Sequence, residues 1–166
     1  MRRGGWILSA LALGCLASAG GCSGQKPEAP PAVSPPRARI NDHTWNVTVV
    51  STRLARYRGL SGRSHLPDDE GMLFLFPREA PREFCMRGCL IPIDIAFLDS
   101  DLRIVRMYTM EVEADRRGTR GYPSVEPAQF ALEVAGGALA RAGARVGQKV
   151  ELLGDLPDPA KAEPSG

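Results

Sequence analysis

Residues Ile91–Asp99, IPIDIAFLD, constrain the fold more than any other stretch. Ile91, Ile93, Ile95 and Phe97 fall on one side of an extended chain, and Pro92, Asp94 and Ala96 on the other. Successive strand side chains point to opposite faces, so this alternation is a strand pattern. The turn residues Asp99, Ser100 and Asp101 follow, then a second β-prone run, Leu102–Met110. Together they predict a hairpin. Pro92 has no N–H to offer a neighbouring strand, so that end lies at a sheet edge or where the strand begins.

The rest of the central region gives more strands than helices. Thr44–Ser51 alternates and is β-branched; Gly71–Phe76 is a short apolar strand. AQFALEVAGG (128–137) and QKVELL (148–153) give two more. A helix of about two turns is predicted after Thr52, which can cap it, and before Gly59, which can end it. Leu54, Tyr57 and Leu60 would form its apolar stripe, with Arg53, Arg56 and Arg58 mainly in water. ALARAGARVG (138–147) is a short helix or turn, and residues 111–127 form a long charged loop. Five or six short strands and two small helices predict a mainly β domain, a β-rich α+β fold: a small barrel or a strongly bent antiparallel sheet.

The ends of the chain belong to targeting and tethering. Arg2 and Arg3 precede an apolar run, Trp6–Ala17, too short to span a bilayer and suited to a secretory signal. Small residues then lead to Cys22, resembling a bacterial lipoprotein signal in which that cysteine is lipidated. Residues 1–21 are read as the signal, 22–38 as a proline-rich tether, 39–154 as one domain and 155–166 as a disordered tail. The expected location is across the inner membrane, anchored by lipid on Cys22 to the outer membrane and facing the periplasm. Residues 1–21 hold two arginines and no acid, so 21 basic and 19 acidic residues become 19 of each. A near-neutral mature chain lacks the basic footprint of a nucleic-acid binder, and none is expected as a partner.

Several pieces recur in a fixed order: a strand, T…R…GL, GMLFLF, F-x-M with IPIDIAFLD, then YPS…P…FALEVAGG…G…VG. This arrangement resembles domain-of-unknown-function family 192 (DUF192) over about Val47–Leu152. The resemblance implies a small β-barrel-like fold, often secreted or lipid-anchored, and no established reaction. The pattern falls on Arg58, Gly59 and Leu60; on Gly71, Met72, Phe74 and Phe76; on Phe84, Met86, Pro92, Asp94 and Phe97; and on Tyr122, Ser124 and Pro127. The family often has an aromatic residue at the place of Cys85 and an Asn-Thr pair at Gly88–Cys89; this chain departs there.

Cys85 and Cys89 can be a disulfide, two buried thiols that pack as small apolar residues, or, with Met86, a copper(I) site. In an extended strand they would stand about 13 Å apart, and a disulfide needs Cα atoms within about 7 Å. Only a turn at Arg87–Gly88 would bring them together. Asp94, a carboxylate in an apolar strand, must face water or find a partner. Arg58 is the partner expected from the family pattern. A Ser–His–Asp triad built on Ser124 with His43 or His65 has no supporting motif.

These readings converge on a non-catalytic binding or accessory domain of the envelope. Its site would gather Arg58, Met86, Asp94, Tyr122 and Ser124 around a small polar ligand or an envelope protein. No cofactor is expected. The alternatives are an envelope hydrolase using Asp94 and a copper-binding lipoprotein using Cys85, Met86 and Cys89.

Overall fold

The computed structural model describes residues 34–164. The expected signal, the expected lipidation site Cys22 and the expected tether up to residue 33 lie outside the described residues. Among the described residues nine strands form: β1 (Arg37–Ile40), β2 (His43–Val50), β3 (Glu70–Ala80), β4 (Glu83–Cys85), β5 (Ile93–Leu98), β6 (Ile104–Met110), β7 (Gly121–Pro123), β8 (Ala128–Ala135) and β9 (Glu151–Leu153). Two short helices, α1 (Arg53–Arg58) and α2 (Ala138–Arg141), and a 3-10 turn at Pro159–Lys161 complete the fold.

Seven strands make one curled sheet in the order β6-β5-β8-β3-β2-β1-β9, and β4 pairs with β7 in a small separate ribbon. The two edges of the sheet approach one another. The Ile104 N–H donates to the Gln148 carbonyl, and the Val150 N–H donates to the Leu102 carbonyl, both at 2.9 Å. This gives the barrel-like curvature that the short alternating strands predicted. The sheet is not wholly antiparallel: β2 and β3 run parallel, because α1 carries the chain back across the sheet between them.

The predicted hairpin forms as β5 and β6, with Ile95 opposite Tyr108. Pro92 sits just before β5, and β5 itself is central, flanked by β6 and β8. All six residues of β5 are buried, since the sheet carries a core on each face. One core holds Trp45, Leu73, Leu75, Ala96, Leu98, Ile104, Leu132 and Leu139. The other holds Met72, Phe74, Phe76, Met86, Ile93, Ile95, Phe97 and Tyr122. Burying an apolar side chain of this size stabilises a fold by about 1.5–3 kcal/mol.

Three strands escaped the sequence reading. β1 lies partly in the expected tether, and β7 lies in the expected loop; each is only three or four residues long. β4 is equally short, and its alternation is masked by the cysteine. The tail also departs from expectation. Ala162 is buried in the first core, and the Glu163 N–H donates to the Ser51 carbonyl at 3.0 Å.

Candidate functional site

Helix α1 behaves differently from its sequence pattern. Thr52 caps it, accepting from the Ala55 N–H at 3.2 Å, and Gly59 ends it with a positive φ of 49°. Its apolar residues point outward: Leu54 is 67% and Tyr57 65% exposed. Arg56 turns inward instead. Its guanidinium donates to the Leu75 carbonyl at 2.9 Å and also to the carbonyls of Ser51 and Glu163. Burial lowers its pKa, against the attraction of Glu163. Three main-chain acceptors reward this burial more than a dry face would reward Leu54.

A cavity of about 310 Å³ lies between α1, its following loop and the β4–β7 ribbon. Its walls include Arg53, Arg58, Phe74, Phe76, Phe84, Cys85, Cys89 and Glu133. The Phe84 ring stands edge-on to Phe74 at 4.9 Å and to Phe97 at 5.4 Å. One wall is the turn Met86–Cys89, closed by the Cys89 N–H donating to the Met86 carbonyl at 3.1 Å. Gly88 adopts φ +65° in this turn, a conformation open to glycine at little cost. Ser61 clamps the turn to the α1 loop: its hydroxyl donates to the Arg87 carbonyl at 2.7 Å. On the other side, the Gly88 N–H donates to the Arg116 carbonyl at 2.9 Å.

Glu133 on β8 is the residue that the sequence reading passed over. It is 5% exposed, and its Oε2 has no hydrogen-bond partner among the described residues. Register places it opposite Met72 on β3 and Ile95 on β5, so it faces the second core and the cavity. Burial pushes its pKa from 4.5 up to about 8, because a charge cannot be solvated there. At neutral pH it is mainly a protonated carboxyl, able to donate a hydrogen bond. The signal was present: a carboxylate flanked by Leu132 and Val134, the same anomaly that marked Asp94.

The residues predicted to share one site are dispersed. Asp94 is on the opposite face of the sheet, with Ala96 and Leu98, so Arg58 cannot reach it. Asp94 accepts instead from the Thr109 hydroxyl at 2.7 Å and the Leu139 N–H at 2.9 Å. The second bond caps α2, whose own N-cap, Gly137, has no side chain for that role. A shallower cavity of about 250 Å³ touches Asp94, but both carboxylate oxygens are already engaged. Arg58 is exposed and lines the larger cavity. Met86 is fully buried and packs in the second core.

Tyr122 is buried in that core, and its hydroxyl accepts from the Glu111 N–H at 3.3 Å. Ser124 is fully buried; its hydroxyl accepts from the Arg82 N–H at 3.0 Å and donates to the Glu126 carbonyl. Both hold the β4–β7 ribbon in place. His43 packs against Trp45 at 4.7 Å. Cys85 and Cys89 are free thiols. Among the described residues, no group of three His, Cys, Asp or Glu side chains is placed to hold a metal ion.

The comparisons with known proteins agree with this architecture. A structure from Sinorhizobium meliloti 1021, described as a candidate transcription regulator, superposes with a TM-score of 0.63 at 27% identity, over 74% of this chain and 95% of that one. A structure of unknown function from Novosphingobium aromaticivorans DSM 12444 superposes with a TM-score of 0.63 at 30% identity, over 74% and 93% of the two chains. No curated protein matches the chain. The sequence profile of DUF192, described as "Uncharacterized ACR", matches residues 37–152, the whole curled sheet up to β9, and the chain belongs to this family.

Proposed function

We propose that the chain is a binding domain of the cell envelope, and that its site is the cavity beside α1. The ligand class is a small amphipathic anion: a flat or short apolar body carrying one carboxylate or phosphate. The observation that carries this reading is Glu133, a buried carboxyl in a cavity wall with an oxygen that no protein group satisfies. Buried polar groups are normally paired, and a ligand oxygen would complete this one. Phe74, Phe76 and Phe84 supply an apolar lining. Arg53 and Arg58 supply positive charge at the wall. At about 30 Å³ per water, the cavity has room for about ten waters, hence a ligand of about ten non-hydrogen atoms.

The envelope location rests on the sequence: the apolar run Trp6–Ala17 and the small residues before Cys22. Replacing Cys22 with serine should abolish incorporation of labelled fatty acid. Retained labelling would refute that anchor. A DNA-binding reading, raised by the description of the S. meliloti relative, has little to stand on here. Helices α1 and α2 span six and four residues, short for a groove-reading helix. A hydrolase using Asp94 is disfavoured because Thr109 and Leu139 occupy its oxygens.

Benzoate and phenyl phosphate match the proposed ligand class in size and charge. Either should raise the thermal stability of the full chain, by about 2.7 kcal/mol at a hundredfold excess over Kd. Glu133→Ala and Arg58→Ala should each reduce that gain. No stabilisation by either compound, or equal stabilisation of all three chains, refutes the site.

A further inference from the structure

We infer that Cys85 and Cys89 form a reversible dithiol–disulfide centre in the cavity wall, with Glu133 as the carboxylate that takes the proton from Cys89. Three placements carry this. Both thiols and Glu133 line one cavity. The turn Met86–Cys89 folds the chain back, with Gly88 at φ +65°, so the two cysteines are not held apart as in a strand. The thiols are also unequal: Cys85 at the end of β4 is half-buried, whereas Cys89 is 6% exposed. An accessible thiol beside a buried one is the arrangement that thiol–disulfide exchange requires, since one attacks and the other resolves.

The buried thiol needs help to react. Burial raises Cys89 from 9.0 to about 11, with further raising from the nearby charges of Glu133 and Cys85 and an opposing effect from Arg87. Those three groups are what Cys89 faces electrostatically. At neutral pH it is protonated, and only the thiolate is a nucleophile. Glu133 is the neighbouring carboxyl; its ionised fraction takes the Cys89 proton, and that fraction grows as pH rises through about 8.

The reaction partner is a disulfide, in a small molecule or a protein. The Cys85 thiolate attacks one sulfur of that disulfide. The partner's S–S bond breaks, one partner thiolate leaves and takes up a proton, and a mixed disulfide forms on Cys85. Cys89 gives its proton to Glu133, and its thiolate attacks Cys85 Sγ. The bond to the second partner sulfur breaks, and that sulfur leaves as a thiolate, which takes up the proton held by Glu133. Two protein thiols are oxidised and one disulfide is reduced. The inference uses the same cavity as the proposed binding function but not its ligand, so the two fail separately. An Arg58→Ala chain that loses benzoate binding and still forms the disulfide would separate them.

Oxidised glutathione is the probe. Trypsin cuts after Arg82, Arg87 and Arg103, placing Cys85 in EFCMR and Cys89 in GCLIPIDIAFLDSDLR, while Cys15 and Cys22 fall together in residues 4–37. After native exposure of the full chain and alkylation, the expected product is those two peptides joined by a disulfide. Cys89→Ser should stop at glutathione attached to EFCMR. Glu133→Gln should accumulate that same adduct and close about a hundredfold more slowly, a kinetic split that a purely structural role would not produce. Alkylation of both Cys85 and Cys89 in the unsubstituted chain, or a glutathione adduct on Cys85 that never resolves, would overturn the centre. Closure of Glu133→Gln at the unsubstituted rate would overturn the role of Glu133.

Discussion

Glu133 makes the fold's stability depend on pH in a way that can be worked out in advance. Burial holds its folded-state pKa at about 8, against an ordinary 4.5. The unfolded chain returns it to water and to the ordinary value. The folded state therefore binds this proton more tightly than the unfolded state. Its contribution is fully present below pH 4.5 and is lost as pH rises through about 8. At about 1.36 kcal/mol per pH unit, the loss amounts to about 5 kcal/mol by pH 9. That is comparable to the whole stability of many domains of this size.

Glu133→Gln removes the charge while keeping the shape. Urea unfolding of both chains, followed by fluorescence of the fully buried Trp45, gives the difference at each pH. The two chains should be nearly equal at pH 4.5. The glutamine chain should become the more stable by about 5 kcal/mol at pH 9. The other groups with shifted pKa interfere little. Cys89 titrates toward about 11, above the window. Glu113 is lowered by the N–H donors of Arg120 and Thr119, titrates below it, and is common to both chains. A difference constant to within about 1 kcal/mol across the window would mean that Glu133 has a partner of its own. The cavity would then hold no unsatisfied carboxyl to recruit a ligand.

Asp94→Ala should cost about 2–4 kcal/mol in urea unfolding, because it leaves the Leu139 N–H and the Thr109 hydroxyl without their acceptor. Arg58→Ala should stay within about 0.5 kcal/mol, the opposite of what a paired Arg58–Asp94 would give. Arg56→Ala should cost about 2–3 kcal/mol and speed hydrogen exchange at Lys161, Ala162 and Glu163, since it strips the donor from the carbonyls of Ser51, Leu75 and Glu163. Unchanged exchange there would show that the tail holds by Ala162 alone. Cys89→Thr should place a hydroxyl near Glu133, lower its pKa and flatten the pH dependence described above. An unflattened curve would place the hydroxyl out of reach.

Much of the fold was legible because alternation is a strong signal wherever a strand is long enough to show it. Ile91–Phe97 and Ala128–Ala135 announced two central strands, and the turn residues at 99–101 announced the hairpin. What was hidden were strands of three or four residues, which have no room for a period. The helix misled for a different reason. Leu54, Tyr57 and Leu60 satisfy a helical stripe, yet of these only Leu60, just past the helix, is buried, and within α1 the inward position went to Arg56, which donates to three carbonyls. A hydrophobic pattern weighs apolar burial alone and cannot see an unsatisfied carbonyl arriving from another part of the chain.

The residues expected to share one site lie on both faces of the sheet, Met86 and Tyr122 on one and Asp94 on the other, and the sequence carried no sign of which face each would take. Two carboxylates stand in apolar strands, Asp94 and Glu133, and each must face water or find a partner. The sequence cannot rank them, because the deciding fact is which face of the sheet each occupies. Asp94 faces the core that contains α2, whose first turn needs a cap, and its charge is absorbed by structure. Glu133 faces the cavity, lined by aromatic rings, thiols and arginines, and its Oε2 is left without a hydrogen-bond partner among the described residues. The departure from the family pattern at Gly88–Cys89 then gains a physical meaning. A threonine at position 89 would bring a hydroxyl donor to this wall, whereas the thiol of Cys89 is a weak donor and points its one contact at the Arg87 carbonyl, 3.8 Å away. The same substitution that withholds a strong donor from Glu133 places an ionisable sulfur beside it. An unpaired acid and a neighbouring dithiol are thus one feature of this chain, and each is tested by perturbing the other.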